Sequence, residues 1–211
     1  MMLRIVIADD HPVVLKGLKE ILSESFDDVI IDGTTTGYEL MNNVQKNQYD
    51  LALLDISLPD INGLEVLKEI NKKKPKLPVL IISMYPEEQY ALRAIKAGAR
   101  GYLTKRSASN ELVLAVRKIL SGKRYVSPAF AEKMLFEFES DAERPPHEGL
   151  SDRELQVLCM IGGGKAVNQI AQELHLSANT VRTYRTRILE KIGVNGTGEL
   201  IHYAITHRLA E

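Results

Sequence analysis

The sequence predicts an α/β domain built on a doubly wound, five-stranded parallel sheet, followed by a small all-α helix-turn-helix domain. Between residues 1 and 122, short apolar runs alternate with stretches of helical periodicity. This alternation favours parallel strands joined by right-handed crossovers. Beyond residue 149 the helical periodicity continues without a strand-like run. Between these regions, residues 140–149 are nearly devoid of apolar side chains and contain two prolines, which is typical of a linker.

Five short runs rich in apolar and β-branched residues predict the strands. The run that ends at Asp55 is continuously apolar, as in a strand that is buried on both faces. Pro59, Asn62 and Gly63 then turn the chain into a loop. The predicted strands are Leu3 to Ala8, Val29 to Asp32, Leu51 to Asp55, Val79 to Ser83 and Gly101 to Thr104.

Apolar residues at helical spacing predict a helix after each strand. Pro12 suits the first turn of the first helix, and Gly98 ends the fourth. The basic residues 72–74 fall in the last turn of the third helix, where they complement the helix dipole. The predicted helices are Pro12 to about Leu22, Tyr38 to about Lys46, one through Leu64 and Ile70, Glu87 to Ala97, Asn110 to Leu120 and, after the sheet, Ser127 to Glu139.

The region after residue 149 predicts four further helices. Ser151 and Glu154 have the spacing of a capping box and open the first of them. Ser177 is the predicted cap of the third, which runs to about Ile192. The second and fourth are predicted at Val167 to Leu174 and Gly198 to Arg208.

Composition excludes several classes of protein. The chain has 211 residues, a formal net charge of -1 and one cysteine, Cys159. A single cysteine excludes an intramolecular disulfide framework and fits a reducing compartment, and its apolar neighbours predict a buried side chain rather than a nucleophile. No apolar run approaches the roughly 20 residues of a membrane helix, so we expect a cytoplasmic protein without a membrane partner. Because an average charge conceals local clusters, charge has to be read region by region.

Acidic residues follow the first and third predicted strands. The carboxyl ends of parallel strands share one edge, so Asp9, Asp10 and Asp55 should lie close to Ser83 and Lys105. Crowded carboxylates repel one another unless a hard cation such as Mg²⁺ lies among them. A lysine and a hydroxyl there can hold a phosphoryl group, which predicts phosphoryl transfer to Asp55 as the nucleophile. Taken singly, each residue could equally be an ordinary loop residue.

Residues 1–122 resemble the receiver domain of bacterial two-component response regulators, which has a flavodoxin-like fold. The resemblance is carried by the acidic pair, by Leu-Leu-Asp-Ile-Ser-Leu-Pro-Asp-Ile-Asn-Gly at 53–63, by Ser83 and by Gly-Tyr-Leu-Thr-Lys at 101–105. It implies that Asp55 accepts a phosphoryl group from a histidine kinase. It also implies that Mg²⁺ is held by Asp10, Asp55 and the main-chain carbonyl of Ser57, with Asp9 acting through water. Lys105 would pair with the phosphate, and Ser83 would donate a hydrogen bond to it. Tyr102 would be the aromatic residue that changes position when the receiver is switched.

A basic helix is predicted within residues 178–191. Its apolar residues can face a core, while five arginines and threonines face outward: Arg182, Thr183, Arg185, Thr186 and Arg187. Such a helix suits the DNA major groove, because arginine reaches guanine edges or phosphates and threonine reads base edges. A merely solvated basic face is the alternative for an isolated helix. Here the preceding helix and turn complete a helix-turn-helix.

Residues 149–211 resemble the LuxR-type output domain of the NarL/FixJ class of regulators. The opening helix, Leu-Ser-Asp-Arg-Glu-Leu-Gln-Val-Leu at 150–158, is similar to the Leu-Thr-x-Arg-Glu pattern of that class. Where the class carries Ser-Asn-Lys, this chain has a glycine run, so Lys165 or Asn168 is expected to supply the phosphate contacts. Tyr184 is expected to pack or to contact phosphate. The last helix is expected to be core and partly a dimer surface.

These observations predict a phosphorylation-activated transcriptional response regulator that acts as a homodimer on promoter DNA, with RNA polymerase as a further candidate partner. The predicted division is a receiver at 1–122, a linker at 123–148 and a DNA-binding domain at 149–211. The chain would catalyse at most its own phosphorylation and slow dephosphorylation. One alternative is an interaction regulator with an idle receiver. A Mg²⁺-dependent aspartyl-phosphate hydrolase is disfavoured, because Ser57 stands where that chemistry needs an acid-base aspartate.

Overall fold

The computed structural model describes residues 2–139 and 145–210. The chain divides into two compact units, Met1–Glu137 and Phe138–Glu211. The first contains a five-stranded, all-parallel sheet in the order β2-β1-β3-β4-β5, which confirms the predicted fold class. The strands are β1 Leu3–Ala8, β2 Val29–Thr34, β3 Leu51–Leu54, β4 Val79–Ser83 and β5 Gly101–Thr104.

Six helices belong to or begin in the first unit. α1 runs three residues beyond its predicted end, α3 begins with Gly63 and α5 begins two residues early, at Ala108. The helices are α1 Pro12–Ser25, α2 Gly37–Lys46, α3 Gly63–Lys73, α4 Glu87–Lys96, α5 Ala108–Leu120 and α6 Pro128–Glu139.

The sheet is buried on both faces in its centre. Every residue of β3 is fully buried. Alternate residues of β1, β3 and β4 pack with apolar residues of α1 and α5 on one face. The intervening residues, such as Val6 and Leu54, are buried as well. This covering of both faces explains why β3 is continuously apolar rather than alternating.

After α5 the chain returns along β5, which the sequence did not predict. Tyr125 forms a parallel bridge with Gly101, donates its N–H to the carbonyl of Arg100 (2.9 Å) and accepts the N–H of Tyr102 (3.1 Å). Ser127 then donates its N–H and hydroxyl to the Glu87 carboxylate and accepts the N–H of Phe130 (3.1 Å), so it caps the start of α6.

The described residues of the second unit form helices joined by short loops, with no strand. Part of the predicted linker, residues 140–144, lies outside the described residues, while Pro146–Gly149 forms a 3₁₀ turn that was not expected. The predicted capping box is confirmed: the Ser151 hydroxyl accepts the Glu154 N–H, and the Glu154 carboxylate accepts the Ser151 N–H. The helices are α7 Asp152–Gly162, α8 Val167–Glu173, α9 Ala178–Ile192 and α10 Thr197–Thr206.

α9 has well-defined ends. Ser177 accepts the N–H of Thr180 (3.0 Å) at its start. At its end Gly193 adopts a left-handed conformation with φ of 79°, which a residue without a side chain adopts readily. No helix among the described residues has both the length and the apolar character that a membrane-spanning segment requires.

Candidate functional site

Backbone hydrogen bonds position four polar residues at the carboxyl edge of the sheet. The N–H of Asp9 donates to Thr34 (3.1 Å), and that of Asp55 donates to Ala8 (3.0 Å). On the other side, the N–H of Lys105 donates to the carbonyl of Ser83 (2.7 Å). The sheet ladder thus extends one residue beyond β1, β3 and β5, so backbone hydrogen bonds hold Asp9, Asp55 and Lys105 in line with their strands.

Lys105 lies between two buried carboxylates. Its Nζ is 2.7 Å from Asp9 Oδ2 and 2.7 Å from Asp55 Oδ2, and all three side chains are at most 5% exposed. Burial raises the pKa of Asp55, and Asp9 raises it further, while the positive charge of Lys105 opposes both. Burial lowers the pKa of Lys105, but the carboxylates of Asp55 and Asp9 outweigh it, so the net pKa is raised.

The two carboxylates of this ion pair belong to a cluster of three aspartates and one histidine, which we call the acidic cluster. One possible ligand atom from each of Asp9, Asp10, His11 and Asp55 lies within 4.8 Å of the others. His11 was not predicted: its Nδ1 is 2.7 Å from Asp10 Oδ1 and 3.3 Å from Asp9 Oδ1. Its only signal in the sequence is its place directly after the acidic pair. The three carboxylates form a set of hard oxygen donors that is compatible with a metal site.

The backbone around Asp55 is tightly packed. The N–H of Ser57 hydrogen-bonds the Asp55 carboxylate, which places Ser57 beside the cluster. Asn62 caps α3 through the N–H of Leu64 (2.9 Å), and the N–H of Gly63 donates to the carbonyl of Ile56 (2.9 Å). A Cβ atom on Gly63 would lie 2.1 Å from the carbonyl oxygen of Asp55. The glycine is therefore needed because α3 begins against the backbone that carries the acid.

Ser83 and Tyr102 are fully buried and hydrogen-bonded to each other. The Tyr102 hydroxyl also donates to the carbonyl of Tyr85 (2.8 Å), and the N–H of Tyr85 donates to Ser83 Oγ (3.3 Å). Burial raises the pKa of Tyr102 well above its usual value. The predicted serine and aromatic therefore meet, and Tyr85, which was not predicted, joins them through its backbone.

A second candidate site is the outer face of α9. Four of its predicted residues are exposed, namely Arg182, Thr183, Thr186 and Arg187. Arg182 donates to Asn179 Oδ1 (2.8 Å). The threonine hydroxyls donate to backbone carbonyls four residues earlier, at 3.0 and 3.1 Å. These bonds order the side chains along one face.

Four other predicted DNA contacts lie elsewhere. Arg185 and Tyr184 are only half-exposed, in contrast to the predicted outward orientation of Arg185. Arg185 donates instead to Thr197 at the start of α10. Lys165 is exposed and paired with Glu173, and Asn168 is exposed in the first turn of α8. The sequence does not reveal the Arg185 contact, because Thr197 is twelve residues away on another helix.

Comparisons with known proteins find a matching family for each of two regions of the chain. The family described as response regulator receiver domain matches residues 5–117, and that described as bacterial regulatory proteins, luxR family, matches residues 148–204. The chain is 34% identical over 209 residues to the response regulator UvrY of Escherichia coli (strain K12), covering 99% of this chain and 96% of that protein. It is 32% identical over 210 residues to the response regulator GacA of Pseudomonas protegens, covering 100% and 99%.

Solved structures of response regulators are similar over nearly the whole chain. The response regulator ChrA of a heme-sensing two-component system is 31% identical, with a TM-score of 0.52 over 99% of this chain and 98% of that chain. RcsB from Salmonella enterica serovar Typhimurium, bound to promoter P1flhDC in the presence of the phosphomimetic BeF₃⁻, is 25% identical, with a TM-score of 0.60 over 96% and 98%.

Proposed function

The chain belongs to the response-regulator family and is a phosphorylation-responsive, DNA-binding transcriptional regulator; from that premise we propose that Asp55 is the residue that accepts the phosphoryl group. The observation that carries this proposal is the position of Lys105, whose ammonium is 2.7 Å from both Asp9 and Asp55. A cation held at this point can neutralise charge on the transferred group.

The chemistry is transfer from a phosphohistidine of a sensor kinase. An oxygen of Asp55 attacks phosphorus, the phosphorus–nitrogen bond breaks, and the imidazole leaves with the electron pair and takes up a proton. Lys105 then pairs with a phosphoryl oxygen and Ser83 donates to another. A small phosphodonor can replace the kinase, because Asp55 attacks its phosphorus in the same way. In that case the chain catalyses its own phosphorylation. Members of this family are regulators rather than turnover enzymes.

Mg²⁺ is the proposed cofactor. Asp10, Asp55 and the main-chain carbonyl of Ser57 would hold it, with Asp9 acting through water. The three clustered carboxylates support this assignment, because they outnumber the one buried lysine beside them. When bound, the ion offsets negative charge on the reacting oxygens.

The output is DNA binding by α9. Movement of the Ser83 hydroxyl toward the phosphate on Asp55 would change the contacts of Tyr102 and thereby the loop before α4. We propose that phosphorylation favours a homodimer whose two α9 helices read half-sites about one DNA turn apart. The RcsB relative bound to a promoter in the presence of a phosphomimetic supports DNA binding in the phosphorylated state. RNA polymerase remains a proposed partner, and the limits 1–122, 123–148 and 149–211 remain the proposed domain division.

The test is phosphorylation of the full chain. We would incubate wild type, Asp55→Asn and Asp27→Asn with phosphoramidate and Mg²⁺. Intact-protein mass spectrometry would then measure the mass that each protein gains from bound phosphoryl groups. Asp27 is an exposed matched control outside the pocket. Wild type and Asp27→Asn should each gain one phosphoryl group, whereas Asp55→Asn should gain none. Phosphate on Asp55→Asn would refute the assignment, and an unmodified wild type would favour the idle-receiver alternative.

A further inference from the structure

Arg185 lies in the middle of α9 but is directed away from the exposed arginines. Its Nε is 2.9 Å and its Nη2 is 2.6 Å from Thr197 Oγ1, at the first residue of α10. Arg182 and Arg187, on either side of it in the sequence, are exposed, while Arg185 is half-buried. The guanidinium thus makes an interhelical contact within the second unit.

The chemistry of this contact is specific. Two donors on one hydroxyl oxygen use both of its lone pairs, and the planar fork of arginine fixes the direction of approach. Both side chains line a cavity of about 320 Å³ together with the aliphatic residues Ile161, Val167 and Ile201. Because Arg185 is half-exposed, the contact acts mainly by fixing the direction of the guanidinium, and losing Thr197 Oγ1 removes that restraint.

A second polar contact holds the C-terminal end of α9. Lys191 Nζ is 2.7 Å from Glu154 Oε2, in the capping box of α7. Arg185 and Lys191 are six residues apart, or about 9 Å along the helix axis at 1.5 Å per residue. These two side-chain contacts restrain α9 against α10 at one point and against α7 at the other. The exposed Arg182, Thr183, Thr186 and Arg187 surround the first of these points.

We propose that Arg185 is a positioning residue for sequence-specific DNA recognition, which acts by fixing α9 to Thr197 rather than by contacting DNA. This inference rests on the DNA binding of α9 proposed above. Base readout needs side chains placed to a fraction of an ångström, whereas phosphate attraction is long-ranged and tolerant of small shifts. Loss of the contact should therefore reduce sequence discrimination more than general affinity for DNA.

The experiment uses Thr197 to break the contact without altering the α9 face. Full-length wild type, Arg185→Ala, Thr197→Val, Thr197→Ser and the double variant Arg185→Ala/Thr197→Val would be treated with phosphoramidate and Mg²⁺. Dissociation constants would be measured on a duplex that wild type selects from a random-sequence pool, and on a shuffled duplex, at several salt concentrations. Titration to stoichiometry gives the active fraction of each variant.

Thr197→Val should weaken binding to the selected duplex about tenfold, in keeping with the loss of two charge-assisted hydrogen bonds from a half-exposed arginine. Its binding to the shuffled duplex and its salt dependence should match wild type. Thr197→Ser, which keeps the hydroxyl, should retain discrimination. The double variant should discriminate no worse than Arg185→Ala alone, because both substitutions remove the same contact.

Three results would overturn the inference. If Arg185→Ala weakens both duplexes equally and lowers the salt slope by about one, Arg185 is a phosphate contact. If Thr197→Val discriminates like wild type, the contact does not position α9. If only the active fraction falls, the contact serves folding alone. A wild type that selects no sequence would instead refute the proposed DNA readout by α9, so the two failures are distinct.

Discussion

Lys105 balances charge that would otherwise be unfavourable in a buried pocket. Its ammonium contacts carboxylate oxygens of Asp9 and Asp55, and burial prevents water from screening either charge. Burial alone would lower the pKa of Lys105, but the carboxylates outweigh it and the pKa is raised. The lysine therefore stays charged at neutral pH, and its loss would leave two buried carboxylates facing each other.

We expect Lys105→Met to lower the free energy of unfolding by about 3 kcal/mol in the absence of divalent cations, because it leaves buried charges without a partner. Urea denaturation measures this change, and added Mg²⁺ should restore part of it. Lys72→Met, at an exposed lysine, is the matched control and should change stability by less than about 0.5 kcal/mol. Equal stability of the two variants would contradict the balancing role.

Gly63 determines where the Asp55 loop can lie. A Cβ atom at this position would overlap the Asp55 carbonyl oxygen and lie 2.8 Å from Ile56 Cα. We expect Gly63→Ala to cost about 3 kcal/mol and to slow phosphorylation, because the backbone that carries Asp55 must move. Denaturation and the phosphoramidate assay measure the two effects.

Gly17 is a control position at which alanine is expected to raise stability rather than lower it. It lies within α1, where a Cβ atom would meet nothing within 4 Å. Gly17→Ala should therefore stabilise the protein by about 0.5–1 kcal/mol, since alanine loses less backbone entropy in a helix. If both alanine variants shifted stability in the same direction, the steric explanation for Gly63 would be wrong.

Sequence reasoning found some of these residues and missed others for a common physical reason. Asp9, Asp55 and Lys105 come together because strand ends in a parallel sheet share an edge, which topology alone predicts. His11, Tyr85 and Arg185 make their contacts through rotamers or loop geometry. No periodicity encodes such contacts, so only the folded chain reveals them.

At the scale of elements, every predicted strand and helix has an observed counterpart, with small differences at the ends. A parallel sheet and its helices differ in apolar period, and this difference is readable because it repeats from each strand to the following helix along the chain. The Tyr125 bridge and the 3₁₀ turn at Pro146–Gly149 were not predicted. Each involves too few residues to produce a pattern.

The capping box of α7 also holds the end of α9, and this links its stability to pH. Burial raises the pKa of Glu154, but hydrogen bonds from Lys191 and Ser151 outweigh it, so the net pKa lies below the usual 4.5. The unfolded chain then binds a proton at a higher pH than the native state does. The stabilisation from Glu154 is complete above pH 4.5 and is lost as the pH falls through the lower native value.

We expect Glu154→Gln to destabilise the second unit by about 2 kcal/mol at pH 7, because Lys191 loses its charged partner. Below pH 4.5 the difference from wild type should shrink, since wild type itself becomes protonated. Thermal unfolding between pH 7 and pH 3 measures both effects. Glu190→Gln, at an exposed position of α9, is the control. A constant difference at all pH values would show that the carboxylate charge is not responsible.

At the scale of the whole molecule, a net charge of -1 conceals two opposite sites. The acidic cluster lies in the first unit and the arginine face of α9 in the second. Total composition could not indicate either, whereas the local order of residues indicated both. The local sequence motifs in each half of the chain also identified the family. For this reason the function could be predicted from the sequence alone, without the positions of the side chains.

Each unit has its own apolar core, and this leads to a prediction for the complete chain. Ile5, Leu53 and Leu80 belong to the core of the first unit, while Val181 and Ile188 are buried in the second. Lys105→Met should therefore lower hydrogen-exchange protection in β3 but not in α9, and Glu154→Gln should do the reverse. In the double variant each unit should lose as much protection as in the corresponding single variant, within about 0.5 kcal/mol, as expected for sites without shared partners. If either substitution lowered protection in both units equally, the chain would unfold as one cooperative body.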